Sequence, residues 1–412
     1  MKLSNNCLVS WDRVTIFDKK TSCMLLIDGY WSCIIRLGLR RTCLYDFHVA
    51  QGGKMVPFAG WEMPVQYQDS ISASHHHVRN SVGIFDVSHM LQTRVDGQDG
   101  VKFIESMIVG DIEGLKGNQG TLTLFTNDNG GINDDLIVNK TDEGYLYIVS
   151  NAGCMENDYR NMKNREEECR SQGMNVQLEI INKALIAVQG PLMTSVLQPG
   201  LDFDLKTLPF MTNREAKIFG IPDCRVTRCG YTGEDGVEIS VPTNQIEDLL
   251  NTLLSSSKAD VKMIGLGARD SLRLEAGLCL YGSDIDEQTT PVEATLAWTI
   301  AKRRRAERNF PGAEKILDQL KNKPSIKRVG FVSSGPPARG GTAIYDTSGE
   351  KKIGHVTSGI PSPTLKTNVA MGYVDLPFSK NGTPVKFEIR KNKIDAVVSK
   401  MPFVPAKYYI PK

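Results

Sequence analysis

The run from Gly130 to Val138 constrains the fold of this chain more than any other stretch. It reads GGINDDLIV, so two glycines precede an acidic pair, Asp134 and Asp135, and an apolar β-branched segment follows. This pattern predicts a turn that enters a buried strand. A carboxylate placed there is costly to desolvate unless a hydrogen bond or an opposite charge offsets that cost. Asp after Gly-Gly is also ordinary turn chemistry, so the pair alone leaves both interpretations open.

Strand and helix patterns around this run predict an α+β body. Short apolar strands are predicted at residues 120–125, 136–138 and 145–149, and the first two pair around a turn at 127–131. Helical periodicity is found in three further segments, at residues 153–172, 245–255 and 267–276. Antiparallel hairpins with separate helices favour an α+β fold over a doubly wound sheet.

The C-terminal quarter has a different sequence pattern, in which short apolar segments alternate with Gly, Pro and Ser turns. They lie at residues 329–332, 354–357, 369–374 and 385–389. This spacing predicts a small all-β barrel or sandwich. This pattern begins after a charged stretch with a Pro-Gly pair, between residues 302 and 324.

Composition excludes several classes of protein. With 412 residues, 41% hydrophobic and 23% charged, the chain has the composition of a soluble globular protein with two or three domains. A net charge of +2 argues against binding nucleic acid over the whole surface. There is no apolar run of about 18 residues, so no membrane span is predicted. Nine irregularly spaced cysteines indicate a reducing compartment and no disulfide framework.

No metal site and no nucleotide-binding loop are predicted. Cys224 and Cys229 lack a second Cys or His pair nearby, so buried structural thiols are expected. The triplet from His75 to His77 points in several directions on a helix, which favours a polar helical face over a shared ion. A Gly-rich phosphate loop after a strand is also absent from the sequence.

Three other stretches carry candidate binding residues. Glu238 follows the Gly-rich segment 230–236 and enters a strand, where a carboxylate can accept two hydrogen bonds from an amino-substituted heterocycle. Arg269 and Arg273 share a helical face, so one can clamp an anionic or carbonyl group, or both can form internal salt bridges. Met90 ends an apolar strand, where a core methionine is the usual case.

Together, five strings closely resemble the T-protein family, the aminomethyltransferases of the glycine cleavage system, and they occur in the family's order. The resemblance runs from about Arg41 to the C-terminal Met401–Pro405 segment and is close to the animal mitochondrial form. The strings are KMVPFAGW (54–61), FDVSHM (85–90), GINDDLIV (131–138), GYTGEDG (230–236) and LRLEAGL (272–278).

The resemblance implies a three-part, cloverleaf-like body around a central channel with a C-terminal β-barrel. The expected domains are a leader at 1–40, an α+β body of two subdomains at 41–300 and a barrel at 310–412. The implied activity transfers a methylene carbon from the aminomethyl-lipoyl arm of H-protein to tetrahydrofolate, releasing ammonia and giving 5,10-methylenetetrahydrofolate. The lipoyl group belongs to the partner, and neither a metal nor a nucleic acid takes part.

The resemblance also implies roles for individual residues. The catalytic carboxylate corresponds to Asp135, whereas Asp134 is expected to be a turn residue that sets the geometry. The residues that correspond to the family's folate pocket are Glu238, Arg269, Tyr408, Met90 and Asn151. An Asp near the acceptor nitrogen can assist proton transfer to the leaving amine.

A basic run, Lys302, Arg303, Arg304 and Arg305, has two interpretations. It is either a solvated helix or linker, or a docking site that steers an acidic lipoyl carrier.

Residues 36–41 are basic, like the end of a mitochondrial targeting peptide, although Asp12, Asp18 and Asp28 are atypical of such leaders. A mitochondrial matrix location therefore follows mainly from the resemblance. The alternative function is a non-catalytic folate-binding or carrier-docking paralogue of the same fold, against which the presence of Asp135 argues.

Overall fold

The computed structural model describes residues 24–27, 30–33 and 38–411, with side chains from residue 38 onward. The chain divides into two units, Met1–Arg40 and Arg41–Lys412. In the first unit, Met24–Ile27 pairs antiparallel with Tyr30–Cys33. The rest of the predicted leader lies outside the described residues, apart from residues 38–40.

The elements of the described residues follow in chain order. The strands are β1 (Met24–Ile27), β2 (Tyr30–Cys33), β3 (Arg40–Arg41), β4 (Lys54–Phe58), β5 (Trp61–Gln66), β6 (Val82–Asp86), β7 (Leu91–Asp96), β8 (Gln119–Thr126), β9 (Ile132–Lys140), β10 (Leu146–Ser150), β11 (Gln177–Ile180), β12 (Lys183–Gln189), β13 (Asn213–Ile218), β14 (Ile221–Thr227), β15 (Gly236–Pro242), β16 (Val261–Met263), β17 (Ile326–Ser333), β18 (Ala343–Tyr345), β19 (Lys352–Ser362), β20 (Thr367–Asp375), β21 (Pro384–Ile389) and β22 (Asn392–Ser399). The helices are α1 (Tyr45–Ala50), α2 (Ile71–Asn80), α3 (Gly100–Glu105), α4 (Met155–Ser171), α5 (Met193–Leu197), α6 (Ile246–Leu254), α7 (Leu266–Glu275), α8 (Lys302–Glu307) and α9 (Ala313–Asn322).

A five-stranded antiparallel sheet, in the order β11-β7-β10-β9-β8, carries the acidic pair. The predicted hairpin of β8 and β9 is confirmed. Its turn is held by the Asn127 side chain, whose Oδ1 accepts hydrogen bonds from the backbone N–H groups of Asn129 and Gly131 at 3.0 Å. Gly130 has φ of 77°, which explains why glycine stands there.

The start of β9 differs from the expectation. The strand begins at Ile132, four residues before the predicted start, so Asp134 pairs with Phe125 and Asp135 with Leu124. The prediction that Asp134 is a turn residue is therefore wrong. The pattern missed this because two carboxylates look unfavourable in a strand until their long-range partners are known.

The second sheet has six strands in the order β13-β14-β15-β12-β6-β16. The strands of this sheet are not consecutive in the sequence. Strand β6 precedes the strands of the first sheet, β7 to β11, and the other five follow them. The core beneath it is mainly apolar, and α5 and α6 contribute buried leucines such as Leu197 and Leu249. The predicted helices at α4, α6 and α7 are confirmed.

The third part is a closed barrel, β17-β20-β19-β18-β21-β22. The predicted barrel or sandwich is thus a barrel, and the overall α+β class is confirmed. Two strands were not predicted from the sequence: β18, which has three residues, and β22, whose exposed positions include Asn392 and Asp395. No helix in the described part of the chain is long and apolar enough to cross a membrane.

Glu275, at the end of α7, joins several parts of the fold. It is fully buried, and its carboxylate accepts hydrogen bonds from Arg79 on α2 at 2.9 Å and from Ser362 and Thr364 of the barrel. Its backbone carbonyl accepts from the N–H groups of Phe403 and Val404 in the C-terminal tail. Burial acts to raise the pKa of Glu275, but hydrogen bonds from His75, Ser362 and Thr364 and the charge of His75 lower it to about 2.

The same cluster corrects the expectation for the histidine triplet. The helix is confirmed and His76 is exposed, but His75 is fully buried. His75 Nδ1 lies 2.8 Å from the Ser271 hydroxyl, and Nε2 lies 3.1 Å from Glu275. A polar helical face is therefore wrong for His75, because its partners come from residues about 200 positions away in the sequence.

We predict that Glu275→Gln lowers the free energy of unfolding by about 3 kcal/mol, because it leaves the buried Arg79 with an incomplete set of partners. The pKa of Glu275 is depressed on folding, so its stabilising effect is complete above about pH 4.5 and is lost as the pH falls toward 2. Urea unfolding of the variant and the parent between pH 3 and 7 measures this difference. Exposed Glu350 provides the control, Glu350→Gln. An equal, small effect of both substitutions at neutral pH would contradict the prediction.

Candidate active site

A cavity of about 1340 Å³ lies where the two sheets, the barrel and the C-terminal tail meet. All six residues predicted for catalysis or folate contact line this cavity. They are Asp135, Glu238, Arg269, Tyr408, Met90 and Asn151. The structure therefore brings together residues that are up to 318 positions apart in the sequence, from Met90 to Tyr408.

Asp134 and Asp135 have different environments because adjacent residues of a strand face opposite sides of the sheet. Asp135 faces the cavity, whereas Asp134 has no exposed surface. Asn151, just after β10, connects them: its backbone N–H and its Nδ2 donate to the two oxygens of Asp134 at 2.9 Å. The same Nδ2 donates to Asp135 Oδ1 and to the Asp135 carbonyl at 3.0 Å. One amide thus fixes both carboxyl groups.

The electrostatics of the pair favour protonation near neutral pH. Burial, followed by the charge of Asp134, raises the pKa of Asp135 to about 7, while the hydrogen bond from Asn151 works in the opposite direction. Burial also raises the pKa of Asp134 well above its usual range, followed by the effect of the nearby Asp158 carboxyl. Asp135 is therefore able to exchange a proton at physiological pH.

A second carboxylate, Glu238, lines the cavity from β15. Burial raises its pKa, and the charge of Arg269 acts in the opposite direction. The Arg269 guanidinium lies over the Tyr231 ring, 4.7 Å from its centroid, which is a cation–π arrangement. This pair provides an anionic acceptor and a cation on the same cavity.

The two arginines of α7 have different roles. Arg273 is buried and bonded internally, since its Nε donates to Asp270 at 2.8 Å and its Nη1 to Asp284 at 2.5 Å. Arg269 lines the cavity instead. The internal salt bridges are thus observed for Arg273, and clamping of an anionic or carbonyl group by Arg269 stays a prediction.

The C-terminal tail closes one side of the cavity. The Tyr408 ring stacks on Phe210 with centroids 4.1 Å apart and an interplanar angle of 10°. The Phe210 N–H donates to the carbonyl of Tyr409 at 2.9 Å, and Lys407 forms an ion pair of 3.1 Å with buried Glu234. These contacts hold Tyr408 at the cavity wall.

Several lining residues were not singled out from the sequence, among them Tyr231, Cys154, Cys279 and Trp298. The hydroxyl of Tyr231 donates to the carbonyl of Cys279. Tyr231 could have been found, because it stands inside the Gly-rich string 230–236. No local sequence pattern marks Cys154, Cys279 or Trp298 as residues of a binding site. Cys224 and Cys229 are buried free thiols, as predicted. Within residues 38–411, no group of His, Cys, Asp and Glu has a metal-binding arrangement.

The basic run lies away from these residues, on α8. Arg304 is buried, and Arg303 donates to Glu105 at 2.5 Å and to Asp111 at 2.8 Å. Arg305 donates to backbone carbonyls, whereas Lys302 is exposed. Most of this charge therefore stabilises the fold internally.

Comparison with known proteins agrees with this geometry. Residues 44–304 match the family model of the GCVT N-terminal domain, and residues 327–405 match the glycine cleavage T-protein C-terminal barrel domain. The chain is 58% identical over 371 residues to the mitochondrial aminomethyltransferase of Homo sapiens, covering 90% of this chain and 91% of that protein. The corresponding protein of Pisum sativum is 50% identical over 374 residues, with 90% and 91% covered.

A solved structure shows the same fold. The crystal structure of glycine cleavage system aminomethyltransferase T from Bartonella henselae is 38% identical, with a TM-score of 0.82, and the match covers 90% of this chain and 100% of that one. The first family model alone spans more than half of the 412 residues. The chain belongs to the aminomethyltransferase family of the glycine cleavage system, the T-proteins.

Proposed function

We propose that this chain transfers the methylene carbon of an aminomethyl-lipoyl arm to tetrahydrofolate and releases ammonia. The product is 5,10-methylenetetrahydrofolate, and the arm belongs to H-protein, the lipoylated partner in the glycine cleavage system. The observation that carries the proposal is the cavity in which Asp135, with a pKa of about 7, shares the walls with Glu238. Family membership supports the same chemistry.

The cavity suits a folate. A pterin carries an amino group and a ring N–H on one edge, so Glu238 can accept both hydrogen bonds side by side. Burial raises the pKa of Glu238, and the charge of Arg269 opposes this and favours the ionised form. Tyr408 and Met90 add apolar surface for the flat ring system.

Asp135 is proposed to act on the transferred carbon and the leaving amine. The carbon loses its bonds to the amine nitrogen and the lipoyl sulfur and gains bonds to two folate nitrogens. The ionised Asp135 carboxylate stabilises the positive charge that develops at the carbon and accepts a proton from a folate nitrogen. That proton passes to the departing ammonia, and the proton released by the second folate nitrogen goes to the lipoyl sulfur, which leaves as a thiol. Asn151 holds the carboxylate in place.

The remaining proposals concern the cellular location of the chain and the surface that binds H-protein. The vertebrate relatives are named mitochondrial, and we propose the mitochondrial matrix for this chain. Docking of H-protein by the basic run stays a prediction, which now depends mainly on exposed Lys302, since Arg303 and Arg304 are engaged internally. The proposed domains, 41–300 and 310–412, are compatible with the two matched family models.

The proposed function is tested by supplying aminomethyl-loaded H-protein with and without tetrahydrofolate and measuring ammonia. We expect rapid release only with folate, and a loss of about 10² to 10⁴ in turnover for Asp135→Asn, because a positioned acid-base group is removed. The exposed turn residue provides a matched control, Asp128→Asn, which should keep full activity. Folate-independent release would contradict transfer to folate. Binding of folate without any turnover would favour the non-catalytic paralogue.

A separate prediction concerns Glu238. Glu238→Gln replaces one acceptor oxygen with a donor, so the dissociation constant for tetrahydrofolate should rise about 10- to 100-fold. This factor corresponds to the free energy of a hydrogen bond to a charged group. Fluorescence titration of the purified chain measures this constant. Because Glu238 is assigned to binding, the turnover of the folate-saturated variant should fall much less than that of Asp135→Asn. An unchanged dissociation constant would remove Glu238 from the folate site.

A further inference from the structure

A third acidic residue lies behind the pair and has no part in the chemistry described so far. Asp158 is in the first turn of α4 and is 2% exposed. Its Oδ2 has no hydrogen-bond partner among the described residues. A buried carboxyl oxygen without a partner is costly when the group is ionised, so the position calls for a physical reason.

The Asp158 and Asp134 carboxyl groups form a side-chain hydrogen bond with each other. A hydrogen bond between two carboxyl groups requires a proton, because two carboxylates are acceptors only. Two buried carboxyls in contact cannot both be ionised, so they hold one proton between them. Asp134 in turn accepts two hydrogen bonds from Asn151, whose amide also donates to Asp135.

We propose that Asp158 is a positioning residue of the transfer site. By sharing one proton with Asp134, it holds Asp134 as the acceptor that orients the Asn151 amide toward Asp135. The shared proton also keeps Asp134 from placing a full negative charge beside Asp135. The inference rests on the proposed function of Asp135, but the arrangement of the carboxyl groups does not.

Other titratable groups face this cluster from the neighbouring elements. Near Asp134 and Asp158 these are Cys154 and Tyr281, and near Asp135 they are Tyr231 and Cys279. Burial raises the pKa of each of these thiols and phenols, so they stay neutral between pH 5 and 9. The three carboxyl groups therefore determine how the cluster responds to pH in this range.

Asp158→Asn tests the inference. The asparagine amide can donate to Asp134 but cannot share a proton, so Asp134 carries more negative charge than in the parent chain. The titration midpoint of Asp135 should then rise by about one pH unit. The 13C NMR signal of its carboxyl in aspartate-labelled protein, identified by its loss in Asp135→Asn, measures this midpoint. That shift lowers the ionised fraction of Asp135 at pH 7, so kcat at this pH should fall about fivefold. The KM for folate should stay within about twofold of the parent value.

The matched control removes another buried acid of the same helix. Glu166 is 3% exposed and accepts hydrogen bonds from Lys163 and from the backbone N–H of Leu178, far from the pair. Glu166→Gln should lower the melting temperature but leave the Asp135 midpoint unchanged. Asp158→Ser, which keeps a small hydroxyl donor, should shift the midpoint in the same direction as Asp158→Asn and serves if the latter does not fold.

An unchanged Asp135 midpoint in folded Asp158→Asn or Asp158→Ser would overturn the inference. The NMR titration needs neither folate nor H-protein, so it separates the two proposals. A shifted midpoint without folate-dependent ammonia release from the parent chain would uphold the carboxyl arrangement and reject the proposed function. Normal transfer by the parent with an unshifted midpoint would reject only the role of Asp158.

Discussion

The buried Glu275 carboxylate is the interaction on which the cavity most depends. It connects α7 to α2 through Arg79, to the barrel through Ser362 and to the tail through its own backbone carbonyl. The desolvation of this charge is offset because several donors and a cation surround it. The cavity exists because parts that are distant in the sequence meet at this point, and Tyr408 reaches its wall through the tail that is anchored there.

Two carboxyl groups in this structure show how environment sets chemistry. Donors hold the pKa of Glu275 at about 2, so it is a permanent structural anion. Asp135 is half-buried beside a second acid and has one amide donor, and its pKa is about 7. The same functional group therefore stabilises the fold in one place and is available for proton transfer in the other.

Local patterns predicted the elements well, because hairpins and amphipathic helices are determined by neighbouring residues. The Asn127–Gly131 turn and helix α4 are examples. Long-range partners were not predictable in this way: the burial of His75 depends on Ser271 and Glu275, and the internal role of Arg303 depends on Glu105.

The site was predicted only in part from the residues themselves. The run around Asp135 and the string before Glu238 carried visible signals, whereas Asn151 and Tyr408 came from the family resemblance alone. Asp158 had no signal, because an acid in the first turn of a helix is common for reasons of helix electrostatics. What makes it unusual is its contact with Asp134, which the fold creates.

The central claim is that transfer requires the ionised carboxyl of Asp135, and the pH dependence of a single turnover tests it most directly. With folate saturating and aminomethyl-loaded H-protein mixed rapidly, the rate of ammonia formation should rise through an apparent pKa near 7 and then level off. Asp135→Asn should be slow and lack this rise. A rise near pH 7 that persists in Asp135→Asn, or a parent rate independent of pH between 5.5 and 8.5, would contradict the claim.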